Sequence, residues 1–182
     1  MSPADELKHE HKTILMVLGA AERKIAEWKV AGRVDRPYMA EMVDFFMNFI
    51  DRCHHTKEEK HYFKKMTDRN KEAVLSLVAV LLQEHEEERR RLKATVESLS
   101  RVKAEGMLPD FDAIEKNLLG YVTLIRDHIV KEDQSLYPLT DRILTTDDQR
   151  ALMEAFKKIE LKEMGHGGHE KYEEVARRLA GS

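Results

Sequence analysis

The stretch Cys53-His54-His55-Thr56-Lys57-Glu58-Glu59 and its echo His128-Ile129-Val130-Lys131-Glu132-Asp133 decide how this chain is read. Set in register, His54 matches His128, Lys57 matches Lys131 and Glu58 matches Glu132. Four residues further on, Tyr62-Phe63 matches Leu136-Tyr137. Side chains four residues apart on a helix leave one face at about 5–6 Å spacing. Each copy therefore predicts an imidazole and a carboxylate side by side, within reach of one metal ion.

That spacing alone does not select a site. A histidine precedes a glutamate by four residues at His54–Glu58, His55–Glu59, His128–Glu132, His166–Glu170 and His169–Glu173. Position relative to the apolar periodicity is what discriminates. The first helix carries Leu7, His11, Ile14, Leu18, Ala21, Ile25 and Trp28 at alternating four and three spacing, a core stripe with a histidine inside it. The second stripe runs Met39, Val43, Phe46/Met47, Ile50, His54 and Glu58, with His61 and Tyr62 just beyond. The third runs Val74, Leu77/Val78, Leu81, His85, Arg89 or Glu88, Leu92, Val96 and Leu99. The fourth runs Ile114, Leu118, Tyr121, Ile125, His128, Glu132, Leu136, Leu139 and Ile143. Of all the histidine–glutamate pairs, only His54–Glu58 and His128–Glu132 lie on stripes. His11 and His85 join them.

Boundary signals support four long helices. Ser2-Pro3-x-Asp5 reads as an N-cap, a proline at the first helical position and an acid in the first turn. Gly32 ends the first helix and Asp35-Arg36-Pro37 starts the second. Asp68 or Asn70 caps the third, Gly106 closes it, and Pro109-Asp110 opens the fourth. Thr146-x-x-Gln149 predicts a capping box for a shorter helix to about Met164. Gly165-His166-Gly167-Gly168 breaks that helix before a last one from His169 to Ala180. Short connections make neighbouring helices antiparallel. The expectation is all-α: an up-down-up-down antiparallel four-helix bundle over residues 1–145, with 146–182 as a C-terminal helical extension packed on it within the same domain.

Composition agrees. The chain has 182 residues, enough for one domain with a sizeable core. Charged residues make up 36% and hydrophobic ones 42%, with eight Gly and four Pro, which favours long amphipathic helices over a turn-rich sheet. Net charge is −3 with both signs interspersed, so no basic stripe points to nucleic acid. One cysteine, Cys53, excludes an intrachain disulfide and suits a reducing compartment. No apolar run reaches the length of a membrane span, and the expected location is cytoplasmic.

Helix rise places the stripe histidines and glutamates at one level. At about 1.5 Å per residue, His11, His54, Glu58, His85, His128 and Glu132 fall within about two turns of each other if the helices alternate in direction. Apart from Arg89, no lysine or arginine shares their stripes. Two buried carboxylates without cations would be costly, and a divalent metal supplies the missing charge. Four imidazoles and two carboxylates, with no thiolate on a stripe, point to iron, manganese or zinc. Carboxylates bridging two ions would make the centre dinuclear.

With these residues quoted, the sequence resembles the hemerythrin-like (HHE cation-binding) family. The matching segments are Leu7-x-x-Glu10-His11, His54-x-x-Lys57-Glu58-Glu59, Leu82-x-Glu84-His85 and His128-Ile129-x-Lys131-Glu132-Asp133 with Leu136-Tyr137-Pro138. The tail Gly168-His169-Glu170-Lys171-Tyr172 is similar to a C-terminal element of bacterial members. The resemblance implies a non-haem di-iron centre, with His11, His54, His85 and His128 as terminal ligands and Glu58 and Glu132 bridging. Oxygen-carrying members use a further histidine four residues along the third helix, where this chain has Arg89. Asp133 stands where those members take an aspartate, and is held in reserve to Glu132. A histidine-poor site suggests reaction with, or binding of, oxygen, peroxide or nitric oxide, with an unidentified redox partner. The alternative is a non-catalytic module that senses, stores or donates iron. His61 is a candidate for the absent ligand. His55, His169 and Tyr172 are further candidates to reach the site.

Overall fold

The computed structural model describes residues 1–100 and 111–181, and all regular structure among them is helical. Helix α1 spans Pro3–Ala31. Ser2 caps it through a reciprocal box with Asp5, and Gly32, at φ 65°, ends it in the left-handed conformation that glycine adopts without penalty. Helix α2 starts as Arg36–Phe45 under an Asp35 cap. It passes through Phe46–His55 and Glu58–Tyr62 with π-helical hydrogen bonding and finishes as Phe63–Arg69. Helix α3 spans Lys71–Ser100, its first turn capped by Asn70, whose side chain accepts from the Ala73 amide. Helix α4 spans Phe111–Lys131 and continues through a π turn at Glu132–Leu136 and tighter turns at Tyr137–Leu139 to Thr140–Ile143. Helices α5, Thr146–Met164, and α6, Gly168–Gly181, follow.

The π segments explain a feature of the second stripe. Phe46, Ile50, His54, Glu58 and Tyr62 are all buried, at unbroken four-residue spacing. At about 3.6 residues per turn, each four-residue step overshoots by about 40°, so an α-helix would rotate Tyr62 far from Phe46. Hydrogen bonds from i to i+5 widen the turn and hold the row on one face. The π turn at Glu132–Leu136 does the same for His128, Glu132 and Leu136.

The apolar core falls into two clusters. One joins Ile14, Leu18, Phe46, Phe49, Leu118, Tyr121 and their neighbours to Tyr172, Val175, Ala176 and Leu179 of α6. The other joins Leu7, Tyr62, Phe63, Leu81, Leu136 and Tyr137 to Leu152 and Phe156 of α5. Between them lies a layer of buried polar side chains.

One boundary expectation changes, one open alternative closes, and one buried charge appears that no stripe contained. The α5 cap is Thr145 with Asp148, one residue earlier than Thr146-x-x-Gln149, because the threonine hydroxyl accepts from the Asp148 amide while the Asp148 carboxylate accepts from the Thr145 amide. On α3 it is Glu88 that is buried, while Arg89 turns outward to Asp51, Glu59 and Glu86. Lys57, absent from every stripe, is fully buried, drawn in by three carboxylates. The signals at Gly106 and Pro109-Asp110 lie outside the described residues.

Candidate metal centre

Four imidazoles meet in the polar layer as two pairs. His11 of α1 and His54 of α2 approach with Nε2 atoms 3.1 Å apart, and His85 of α3 and His128 of α4 with Nε2 atoms 3.0 Å apart. Each ring is fixed from behind. His11 Nδ1 donates to Asp133 at 2.9 Å, His54 Nδ1 to Glu10 at 2.8 Å, His85 Nδ1 to Glu59 at 2.7 Å and His128 Nδ1 to Glu84 at 3.0 Å. An ionised carboxylate only accepts, so the Nδ1 position carries hydrogen and Nε2 is the atom turned inward. Carboxylates behind histidines in this way fix ring orientation and raise the basicity of the inner nitrogen in metal sites.

Two carboxylates join the pairs. Glu132 places Oε2 3.2 Å from His11 Nε2 and Oε1 3.2 Å from His128 Nε2, one oxygen towards each pair. Glu58 turns Oε2 to both, 3.6 Å from His54 Nε2 and 3.5 Å from His85 Nε2. Its other oxygen accepts a short hydrogen bond from the Tyr137 hydroxyl, which stacks on His11. Two groups of ligand atoms in this layer are thus close enough to hold an ion: His11, His54, Glu58 and Glu132, and Glu58, His85, His128 and Glu132. Both contain the same two glutamates.

The electrostatics show what the layer lacks. Burial pushes the Glu58 carboxyl well above its ordinary range, and Glu132 pushes it further. Glu132 is buried too, but His128 and His11 outweigh burial and hold it well below. Two facing Nε2 atoms cannot both carry hydrogen, so each pair closes on one proton. Burial lowers His54 to about 4, while Asp133 and Glu132 overcome burial and raise His11. In the second pair burial lowers His85, whereas Glu132 and Glu84 raise His128 well above the usual imidazole range. Glu58 Oε2 and Glu132 Oε1 are buried, face imidazole nitrogens, and have no hydrogen-bond partner. Protons hold together a cluster whose donor atoms suit cations. Nitrogen and oxygen donors without sulfur suit a borderline divalent ion.

The remaining expected residues are distributed as follows. Asp133 sits behind His11 rather than in either group. His55 is buried, with its ring stacked on His85 at 3.8 Å and Nε2 3.4 Å from Glu88. His61 lies outside both groups and lines a surface pocket with Ala151, Ala155 and Ile159 of α5. His169 reaches Glu10 at 3.0 Å, behind His54. Tyr172 donates to Asp44. Cys53 is buried, and burial raises its thiol pKa, so it stays protonated.

Sequence reasoning missed Glu10, Glu59 and Glu84 as supports of the imidazoles and missed Lys57 as a buried charge, while Glu88 stood on the third stripe as the alternative to Arg89. The first set had a signal: Glu10-His11 and Glu84-His85 are the same dipeptide on two stripes, and Glu59 and Asp133 follow the two stripe glutamates. Each acid supports a histidine on another helix, which the dipeptide does not reveal.

Residues 2–140 match the model of the family described as the hemerythrin HHE cation binding domain. No curated protein and no solved structure matches the chain. The matched span contains all four imidazoles, both shared glutamates and every carboxylate behind them, and the chain belongs to the hemerythrin HHE cation-binding family.

Proposed function

We propose that this chain binds two iron ions and uses them to bind or react with a small oxidant: oxygen, peroxide or nitric oxide. The observation that carries the reading is the sharing of Glu58 and Glu132 between two histidine pairs. In this assignment His11 and His54 would hold one ion and His85 and His128 the other, with Glu58 and Glu132 available to both. Manganese or zinc would fit the same donors. The four long helices α1 to α4 form an up-down-up-down bundle, and residues 146–182 complete the same domain.

Bound iron would supply electrons, and open positions for a diatomic or peroxide ligand. The protein's contribution is positioning and exclusion. Asp133, Glu10, Glu59 and Glu84 hold the rings in one tautomer. The two apolar clusters above and below keep bulk water from the layer. Tyr137 holds one oxygen of Glu58 and stands 3.5 Å from Glu132 Oε2, placing a phenolic proton beside both bridging carboxylates. Arg89, where oxygen carriers of this family have a fifth histidine, is engaged by Asp51 and Glu59 and leaves that coordination position to an exogenous ligand. The test is metal analysis of the purified protein followed by anaerobic titration of the reduced form with oxygen and with peroxide. Two irons per chain and a visible spectral change on oxidant addition are expected. A metal-free protein, or one spectrally silent to every oxidant, would refute the reading.

A second reading has its own support. The polar layer divides the core and draws on all four long helices, so ion occupancy would govern stability, as in an iron sensor, store or donor. It predicts a large loss of protease resistance on chelation, without oxidant turnover.

A further inference from the structure

The two histidine pairs are built on one sequence pattern but differ in what covers them. His11 and His54 are 43 residues apart, as are His85 and His128. Glu10 lies 44 residues before His54 and Glu84 44 before His128. Lys57 follows Glu10 by 47 residues and Lys131 follows Glu84 by 47, each lysine 2.6 Å from its acid. The two supports are therefore copies: lysine on carboxylate, carboxylate on imidazole.

Their surroundings are not copies. The Glu10 and Lys57 side chains are 1% and 0% exposed, whereas those of Glu84 and Lys131 are 16% and 37% exposed. Glu6 of α1 contributes to the difference, 3.0 Å from the Lys57 ammonium, and the C-terminal extension, which lies beyond the matched family span, supplies further cover. Glu160 of α5 accepts from Lys57 at 2.5 Å, with Phe156 beneath the ammonium. His169 at the start of α6 donates to Glu10 at 3.0 Å, and its ring packs against Phe49. Glu10, Glu160 and His169 resemble a third cation site by composition. The Lys57 ammonium already stands between both carboxylates, so the cluster is filled. It is a clasp on the support of His54, and among the described residues nothing equivalent closes over Glu84.

We propose that the C-terminal extension makes the two ion positions unequal, locking the one at His11 and His54 and leaving the one at His85 and His128 exchangeable. The inference rests on the two-ion reading above. Of the two imidazoles at the first position, His11 is backed by Asp133, whose side chain is 34% exposed, while the Nδ1 of His54 is tied through Glu10 to Lys57, Glu160 and His169, so His54 is the imidazole that the tail holds. On the other side, among the described residues, only the half-exposed Lys131 backs Glu84. His169 and Glu160 are positioning residues, acting on the ion through Glu10 and His54. Loss of supports of this kind costs about 10–100-fold in metal affinity.

The test uses full-length protein loaded anaerobically with two ferrous ions and challenged with excess ferrozine, release being followed by absorbance. Two phases of one iron each are expected, separated by about tenfold or more in rate. H169A and E160Q should each speed the slow phase by about 10–100-fold and leave the fast phase within about twofold. E84Q should speed the fast phase alone. Release of both ions in one phase overturns the inference while leaving two-ion binding intact. So does a slow phase indifferent to H169A and E160Q, or acceleration of both phases together, which marks a general loosening of the fold. Fewer than two ions per loaded chain overturns the two-ion reading and the inference with it.

Discussion

Replacing Glu88 by glutamine should stabilise the metal-free protein, by an amount that depends on pH. Glu88 is buried on α3 and neither carboxylate oxygen has a hydrogen-bond partner. Its nearest cationic or potentially cationic atoms are His55 Nε2 at 3.4 Å and His128 Nδ1 at 3.9 Å. Burial, aided by Glu132 and Glu84 and opposed by His128 and Arg89, pushes the carboxyl up to about 8 from an ordinary 4.5. Between those values the folded chain keeps a proton that the unfolded chain releases. Stability is therefore whole below pH about 4.5, falls as pH rises, and stops falling near pH 8. Each unit of that window costs about 1.4 kcal/mol. The burden at pH 7 is on the order of 3 kcal/mol, worth about 6–12 °C in Tm for a chain of this size. Glutamine keeps the shape and cannot ionise. Urea titrations of wild type and E88Q, both in chelator, at pH values from 4.5 to 8.5 measure the difference. The curves should coincide within about 1 kcal/mol at the acid end and diverge by about 3 kcal/mol at pH 7. A difference independent of pH, or a wild type more stable than E88Q at pH 8, would refute the reasoning.

Three further outcomes follow from the same layer. Adding ferrous iron at a hundredfold excess over its dissociation constant should stabilise the protein by about 2.7 kcal/mol for each site filled, read as a Tm rise reversed by chelator; no rise would show that the layer binds no ion. Y137F removes the donor to Glu58 and leaves that oxygen buried without a partner, at a cost of about 1–3 kcal/mol in chemical denaturation of the apo protein. An unchanged midpoint would mean the phenol contributes nothing there. H61A should leave two-iron stoichiometry intact, because His61 faces α5 and joins neither group; loss of an ion by metal analysis would restore it as a ligand.

Much of this site was legible because ligands must sit where core residues sit. His11, His54, His85 and His128 interrupt apolar stripes whose nearest members on either side, among them Leu7 and Ile14, Ile50 and Tyr62, Leu81 and Leu92, and Ile125 and Leu136, are buried. The unbroken four-residue spacing from Phe46 to Tyr62 was also in view, but it was read with α-helical geometry and so did not disclose the π turns. What stayed hidden depends on contacts across long sequence separations. Lys57 lies off the stripe, and its burial is set by Glu6 and Glu10 of α1 together with Glu160, 103 residues away, on a helix that no periodicity links to α2. His169 reaches Glu10 across 159 residues. Between Glu88 and Arg89 the α3 stripe is ambiguous by one position. The choice is made by Asp51 and Glu59, which hold the arginine outside and leave the acid within.

The pseudo-repeat keeps the inner donors and changes what surrounds them, and this points to a division of labour. Where the first pair has Ile14, the matching position beside the second has Glu88; where α4 has Ile129, α2 has His55. Tyr137 stacks on His11, while its counterpart Phe63 stacks on His85. The half at His11 and His54 thus has apolar neighbours, a phenol bonded to the shared Glu58, and a clasp from the tail. The half at His85 and His128 has a buried acid and a fifth imidazole beside it, with Arg89 drawn aside. A structural store of two equivalent ions needs no such inequality, since identical surroundings would serve both. Placing polar groups able to donate or accept hydrogen bonds beside one half, and a fixed scaffold around the other, is what the proposed oxidant chemistry would need if it begins at the side proposed to exchange its ion.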